Sequence, residues 1–167
     1  MGLRSWLIDL SRGDSLVWFW QLYRWRTRAR FRPLRSLLTY LLSRSAHRHG
    51  GYVGPGAVFQ GRPSLPHGLH GVFISRFAVI GAGCTIYQNV TIGEVEHRAP
   101  VIGAGCQIGA NAVLVGAIQI GSRVKIGAGA VVSRDVPDGA TVVAQPPRIL
   151  MGKEESEGGS SESPRLA

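Results

Sequence analysis

From Ile74 onward a branched aliphatic side chain returns at every sixth residue, and this spacing constrains the fold more than any other feature. The series reads Ile74, Ile80, Ile86, Ile92 and then, after one interruption, Ile102, Ile108, Leu114, Ile120, Ile126, Val132. Four residues after each stands a small or branched apolar residue: Ala78, Cys84, Val90, then Cys106, Ala112, Ile118, Val124, Ala130 and Val136. A helix repeats near 3.6 residues and a lone strand near 2, so neither accounts for the period. A short strand followed by a tight corner does. The aliphatic enters the core, a glycine such as Gly81, Gly103 or Gly121 permits the corner, and the small residue fills the narrow interior. The expected fold is a solenoid of stacked parallel strands, mainly β.

The 167 residues suffice for one solenoid plus a flanking segment. Each turn of a solenoid contacts only its neighbours, so the ends require caps. Cys84 and Cys106 both fall in the small inward slot, which predicts reduced core thiols and a cytoplasmic protein rather than a redox or metal centre. No clustered ligand set for a metal is present in the sequence.

The net charge of +9 is concentrated at the front. Residues 1–50 hold ten arginines, opposed only by Asp9 and Asp14. Three domains are expected: a basic aromatic helical segment over 1–50, the solenoid over 51–150 and an acidic Gly/Ser-rich disordered tail over 151–167. No apolar run reaches the ~20 residues of a membrane-spanning helix, and no signal peptide is expected. Residues 2–10, about 15–31 and 34–46 read as helices, with Asp14 or Ser15 as an N-cap and Pro33 as a breaker. All four tryptophans, Trp6, Trp18, Trp20 and Trp25, lie beside these arginines. Two readings stay open: residues 1–46 make peripheral contact with an anionic membrane face, or they cap the solenoid and pack in an assembly. Nucleic acid is not an expected partner, since no recognised module for it is present.

The period fails twice, at Pro63–Gly71 and at Gly93–Pro100, and insertions in a solenoid map to loops. Three of the five histidines, His67, His70 and His97, fall in these breaks. A neutral imidazole can take a proton from a hydroxyl near neutral pH, so these are the candidate catalytic residues. Glu94 and Glu96 either orient a histidine or are solvated loop charges.

Beyond the repeat itself, the stretches Pro66–Ser75, Ala78–Gly93, Ile126–Pro137 and Ala144–Ile149 resemble the hexapeptide-repeat acyltransferases, in particular the serine acetyltransferase branch. That branch also holds acetyltransferases of capsular and exopolysaccharide sugars. The resemblance implies a left-handed parallel β-helix, a homotrimer with active sites shared between subunits, and acetyl-CoA as donor. It implies His67 as general base, with His70 as runner-up because the spacing to Ile74 is one residue longer than in the serine enzymes. His97 would be the second active-site histidine, although it stands three residues before Pro100 rather than adjacent to it. Backbone N–H groups would stabilise the oxyanion at about 3 kcal/mol per donor. Gly127, Ala128, Gly129, Ser133 and Arg134 would contact the pantetheine arm, and Lys125, Arg134 and Arg148 are the cations available to its phosphates.

Two departures bear on the acceptor. Tyr52 stands where the serine enzymes have an aspartate before the Pro-Gly-Ala hexad, and Pro66 where an aspartate precedes the base. Together with the short basic front end, these favour a saccharide hydroxyl as the expected acetyl acceptor. Serine O-acetyltransferase is the alternative, and a non-catalytic scaffold the second alternative.

Overall fold

The computed structural model describes residues 16–146. The expected helix over 2–10, the N-cap at Asp14 or Ser15, Arg148 and the tail lie outside them. Two helices, α1 (Val17–Arg28) and α2 (Arg32–Arg48), precede a parallel three-faced solenoid. The first face stacks β1 (Tyr52–Val53), β3 (Phe73–Ile74), β6 (Thr91–Gly93), β9 (Val113–Val115) and β12 (Val131–Val132). The second stacks β2 (Val58–Phe59), β4 (Val79–Ile80), β7 (Val101–Ile102) and β10 (Gln119–Ile120). The third stacks β5 (Thr85–Ile86), β8 (Gln107–Ile108), β11 (Lys125–Ile126) and β13 (Thr141–Val142). This is the left-handed parallel β-helix with short N-terminal helices that the repeat and the resemblance predict.

Most strands are two residues long, so each offers one side chain to the core and one to solvent. Every residue of both sequence series is buried, from Ile74 and Ala78 through Val132 and Val136. Cys84 and Cys106 lie fully inside, their thiols directed at the carbonyls of Gly103 (3.2 Å) and Gly121 (3.0 Å) on the next turn.

The glycine that follows the aliphatic has a different role from the one its sequence position suggests. A Cβ on Gly81 would stand 2.5 Å from the backbone of Gly103, and one on Gly103 2.6 Å from the backbone of Gly121. These glycines let successive turns stack closely. The left-handed conformation falls elsewhere in the repeat, at Gly83, Gly105 and Gly129, and at Asn89, Asn111 and Arg123 in equivalent corners.

Register locates the two breaks. Along the first face Ile74 pairs with Ile92 and Leu114 with Val132, eighteen residues apart in each case. Val53 pairs with Ile74, twenty-one residues on, and Ile92 with Leu114, twenty-two on. The first break therefore adds three residues and the second four. The last turn is two residues short, because Ile120 bridges Val136 and Lys125 pairs with Thr141.

Pro33 lies in the first turn of α2 rather than ending the preceding helix, a position where its missing N–H costs nothing. Phe19, Trp20 and Tyr23 of α1, with Leu42 and Ala46 of α2, belong to the same hydrophobic core as the solenoid column. One side of the helical pair thus caps the open N-terminal end, and Trp20 meets Phe59 edge to face at 5.3 Å. No helix of the described residues is long and apolar enough to cross a membrane.

Candidate functional site

Three corners join the faces: corner 1 from first to second, corner 2 from second to third, corner 3 from third back to first. The break at Pro63–Gly71 lies on corner 3, between Ser64, which bridges Thr85 of the third face, and β3 of the first. The break at Gly93–Pro100 lies on corner 1, between β6 and β7. The two loops leave opposite edges of the first face. Within one chain they do not converge.

Corner 3 holds His67 and His70. Both are exposed, and the His70 Nδ1 lies 2.7 Å from the His67 carbonyl oxygen. A neutral His70 donating from Nδ1 to that carbonyl carries its basic lone pair on Nε2, the tautomer suited to accepting a proton. The His67 ring lies 6.1 Å from that of Tyr87 on the turn below. Further along the same corner run Asn89 and Asn111, joined side chain to side chain at 3.2 Å, and then Gly127, Ala128 and Gly129. The left-handed positions Gly71, Asn89, Asn111 and Gly129 stack in register, each N–H bonded to a carbonyl of the turn before. One corner therefore carries the histidine pair at one end and a bare glycine edge at the other.

Corner 1 holds His97, at the tip of a miniature hairpin. Val95 and Arg98 exchange backbone hydrogen bonds at 2.9 and 3.0 Å, and Glu96 and His97 between them both adopt positive φ. That is the geometry of a tight two-residue turn, built here without glycine and hence strained. The His97 ring lies 5.6 Å from Phe77, and Glu96 pairs with Arg98 at 3.6 Å in solvent. At the base of the loop the buried Ser75 hydroxyl donates to the Glu94 carboxylate and accepts the Phe77 N–H. Ser75 was not evident as a site residue in the sequence; the only signal was a serine directly after the inward Ile74. Glu94 thus anchors the loop rather than orienting a histidine.

Ser133 and Arg134 also lie on corner 1, in the shortened last turn. With Gly129, Val131 and the residues from Val142 to Gln145 they line a groove of about 640 Å³ at the C-terminal end. Lys125 is exposed on the third face and does not line this groove. Of the residues expected to contact the donor's arm, Gly127, Ala128 and Gly129 lie on one edge of the first face and Ser133 and Arg134 on the other, divided as the histidines are.

The outward side chains of that face are Tyr52, Phe73, Thr91, Val113 and Val131, with Tyr52 stacked on Phe73 at 4.8 Å. The third face instead presents Thr85, Gln107, Lys125 and Thr141. The first face is apolar on the outside and polar at its two edges.

Residues 99–134 match the family described as bacterial transferase hexapeptide (six repeats). The chain is 38% identical over 130 residues to a serine acetyltransferase of Synechococcus elongatus, an alignment covering 75% of this chain and 52% of that protein. It is 40% identical over 103 residues to a serine acetyltransferase of Bacillus subtilis, covering 59% and 47%. Its fold superposes on a crystal structure of Neisseria gonorrhoeae serine acetyltransferase in complex with serine, with TM-score 0.67, 38% identity, and coverage of 78% and 55%. The chain spans about half the length of these relatives. They overturn the expected saccharide acceptor: two absent carboxylates weigh less than this identity across the solenoid to proteins named serine acetyltransferase.

Proposed function

We propose that this chain, which belongs to the hexapeptide-repeat acyltransferases on their serine acetyltransferase-like branch, transfers an acetyl group from acetyl-CoA to the hydroxyl of L-serine. The observation that carries the mechanism is the shared corner, which aligns His67 and His70 with Gly127, Ala128 and Gly129. The acceptor follows from kinship with enzymes named for serine.

The residues present suit the donor. A side chain on Gly129 would meet no atom within 4 Å, so an extended arm can lie against bare main chain there, with Ser133 and Arg134 on the far side of the groove. Lys125 is exposed and available to phosphates, and Arg148 lies outside the described residues. When bound, acetyl-CoA supplies an acetyl group activated as a thioester. His67 takes the serine hydroxyl proton as that oxygen bonds to the acetyl carbon, and returns it to the sulfur released when the carbon–sulfur bond breaks. His70 is the alternate base on the same corner.

The four acids among the described residues, Glu94, Glu96, Asp135 and Asp138, all lie on corners 1 and 2. Corner 1 of a neighbouring copy would bring such a carboxylate towards an imidazolium on corner 3. A homotrimer joined through the apolar first face sets corner 3 of one subunit against corner 1 of the next, uniting His67 with His97. The test is thiol release from acetyl-CoA with and without L-serine, alongside the sedimentation mass of the full chain. Serine-dependent turnover by a trimer supports the reading; a chain inert toward L-serine overturns the acceptor.

A further inference from the structure

We propose that the outer face of α1 and α2 docks this protein onto an anionic lipid bilayer. The helices bury one side against the solenoid and turn a second apolar side outward. Trp18 and Phe31 are each 69% exposed, and Trp25, Leu34, Leu37 and Tyr40 also face solvent. The spacing of Leu34, Leu37 and Leu41 continues through Arg44 and Arg48, so these five share one stripe of α2.

Charge selects the occupant. Between Leu16 and Arg48 there are eight arginines and no aspartate or glutamate. Only Arg26 is buried, bonded through Nε to Thr39 at 2.9 Å; the other seven are exposed. A second copy of so basic a surface would repel this one, so self-association does not cover it. An acidic surface with hydrocarbon beneath it matches both properties: guanidinium groups meet phosphates while indole and leucine side chains enter the interface.

The two helices also form a groove of about 560 Å³ between them. Trp18 and Trp25 of α1 and Tyr40 and Leu41 of α2 supply its apolar walls, with Arg44 and Arg48 toward one end. That arrangement accommodates a lipid headgroup beside the upper part of an acyl chain. The docking surface is at the N-terminal end of the solenoid, opposite the groove at Ser133 and Arg134, so lipid contact leaves the proposed donor site open.

The experiment is co-sedimentation of the full chain with vesicles of phosphatidylcholine alone and of phosphatidylcholine mixed with phosphatidylglycerol. Binding is expected only to the mixed vesicles and is expected to weaken with salt. Inorganic phosphate should displace the protein no better than chloride at equal ionic strength. Removing two surface cations in Arg44→Gln/Arg48→Gln should lower the partition roughly thirtyfold. Trp18→Ser/Trp25→Ser should weaken binding while leaving its salt dependence unchanged. Each variant's melting temperature is compared with the parent's, and Leu34→Ser/Leu37→Ser replaces any variant that melts early. Equal pelleting with both vesicle types, unaltered partition of the arginine variant, or retention of duplex DNA without retention of mixed vesicles would each overturn the proposal.

Discussion

The Tyr23 hydroxyl donates to the Ala57 carbonyl at 3.0 Å, thirty-four residues away, and accepts the Phe59 N–H at 3.3 Å. This one phenol closes two backbone groups on the outer side of the first turn of the solenoid, which pairs with no earlier strand among the described residues. Tyr23→Phe keeps the ring and its edge-to-face contacts with Trp20 and Phe59 while opening both bonds. It should destabilise the chain by about 1–2 kcal/mol in urea unfolding. Loss of protection at the Phe59 amide in hydrogen exchange would report the same change locally.

Two kinds of glycine should respond differently to alanine. Gly81→Ala drives a Cβ to 2.5 Å from the backbone of Gly103, which no rotamer relieves, so a loss of about 3 kcal/mol or more is expected. Gly83→Ala has open space, its nearest atom 4.0 Å away, but takes φ +70°. Its expected cost is about 1–2 kcal/mol, from the left-handed conformation alone. Gly83→Asn should cost less than Gly83→Ala, since Asn89 and Asn111 already hold that conformation. Thermal unfolding of the three variants gives the ranking.

Burial pushes the Cys84 thiol above its ordinary value of 9.0. The unfolded chain therefore releases this proton before the folded one does. Stability owed to the neutral thiol is complete below about pH 9 and is lost as pH rises beyond it. Melting temperatures taken across about pH 8 to 10 should fall more steeply for the parent than for Cys84→Ala. Alkylation of Cys84 in the native protein should be slow and should accelerate on unfolding.

The placement of His67 and His97 on opposite edges of one face leads to a mixing experiment. His67→Asn and His97→Asn should each lose acetyl transfer while keeping their melting temperatures. Co-refolded together, they should recover part of the activity, because some interfaces then pair an intact His67 with an intact His97. Recovery failing while either variant alone stays inactive would place both histidines in one chain's site. His70→Asn, assayed beside them, decides which histidine of corner 3 is the base.

Much of this was legible in the chain. Period six marked the column of inward aliphatics and their small partners from Ile74 to Val136, because a two-residue strand leaves little choice about which residue faces in. It also located both loops. What it left out was the corner each loop occupies. Counting hexads by threes from Ile74 assigns the break at Gly93–Pro100 to corner 1 and that at Pro63–Gly71 to corner 3, a step that needs the number of sides in the prism. The glycine roles were hidden for a related reason: the collision at Gly81 is with Gly103, a neighbour in space but not in sequence. Ser75 looked like any serine beside a core isoleucine until the chain folded back to bring Glu94 to it. The front end was ambiguous because its residues do both things, Trp20 packing inward and Trp18 pointing out two positions earlier. The acceptor depended on weighing two missing aspartates, and a few substitutions are a poor guide against identity across a whole solenoid.

The added lengths at the two breaks, three residues on one corner and four on another, leave every later inward residue pointing inward. A corner absorbs extra chain without shifting the phase of the strand that follows, whereas a single residue inserted within a strand, between Val79 and Ile80, would exchange the interior for the exterior. The scaffold can therefore be re-equipped at its edges, by lengthening or replacing a corner, while the column of aliphatics beneath stays as it is.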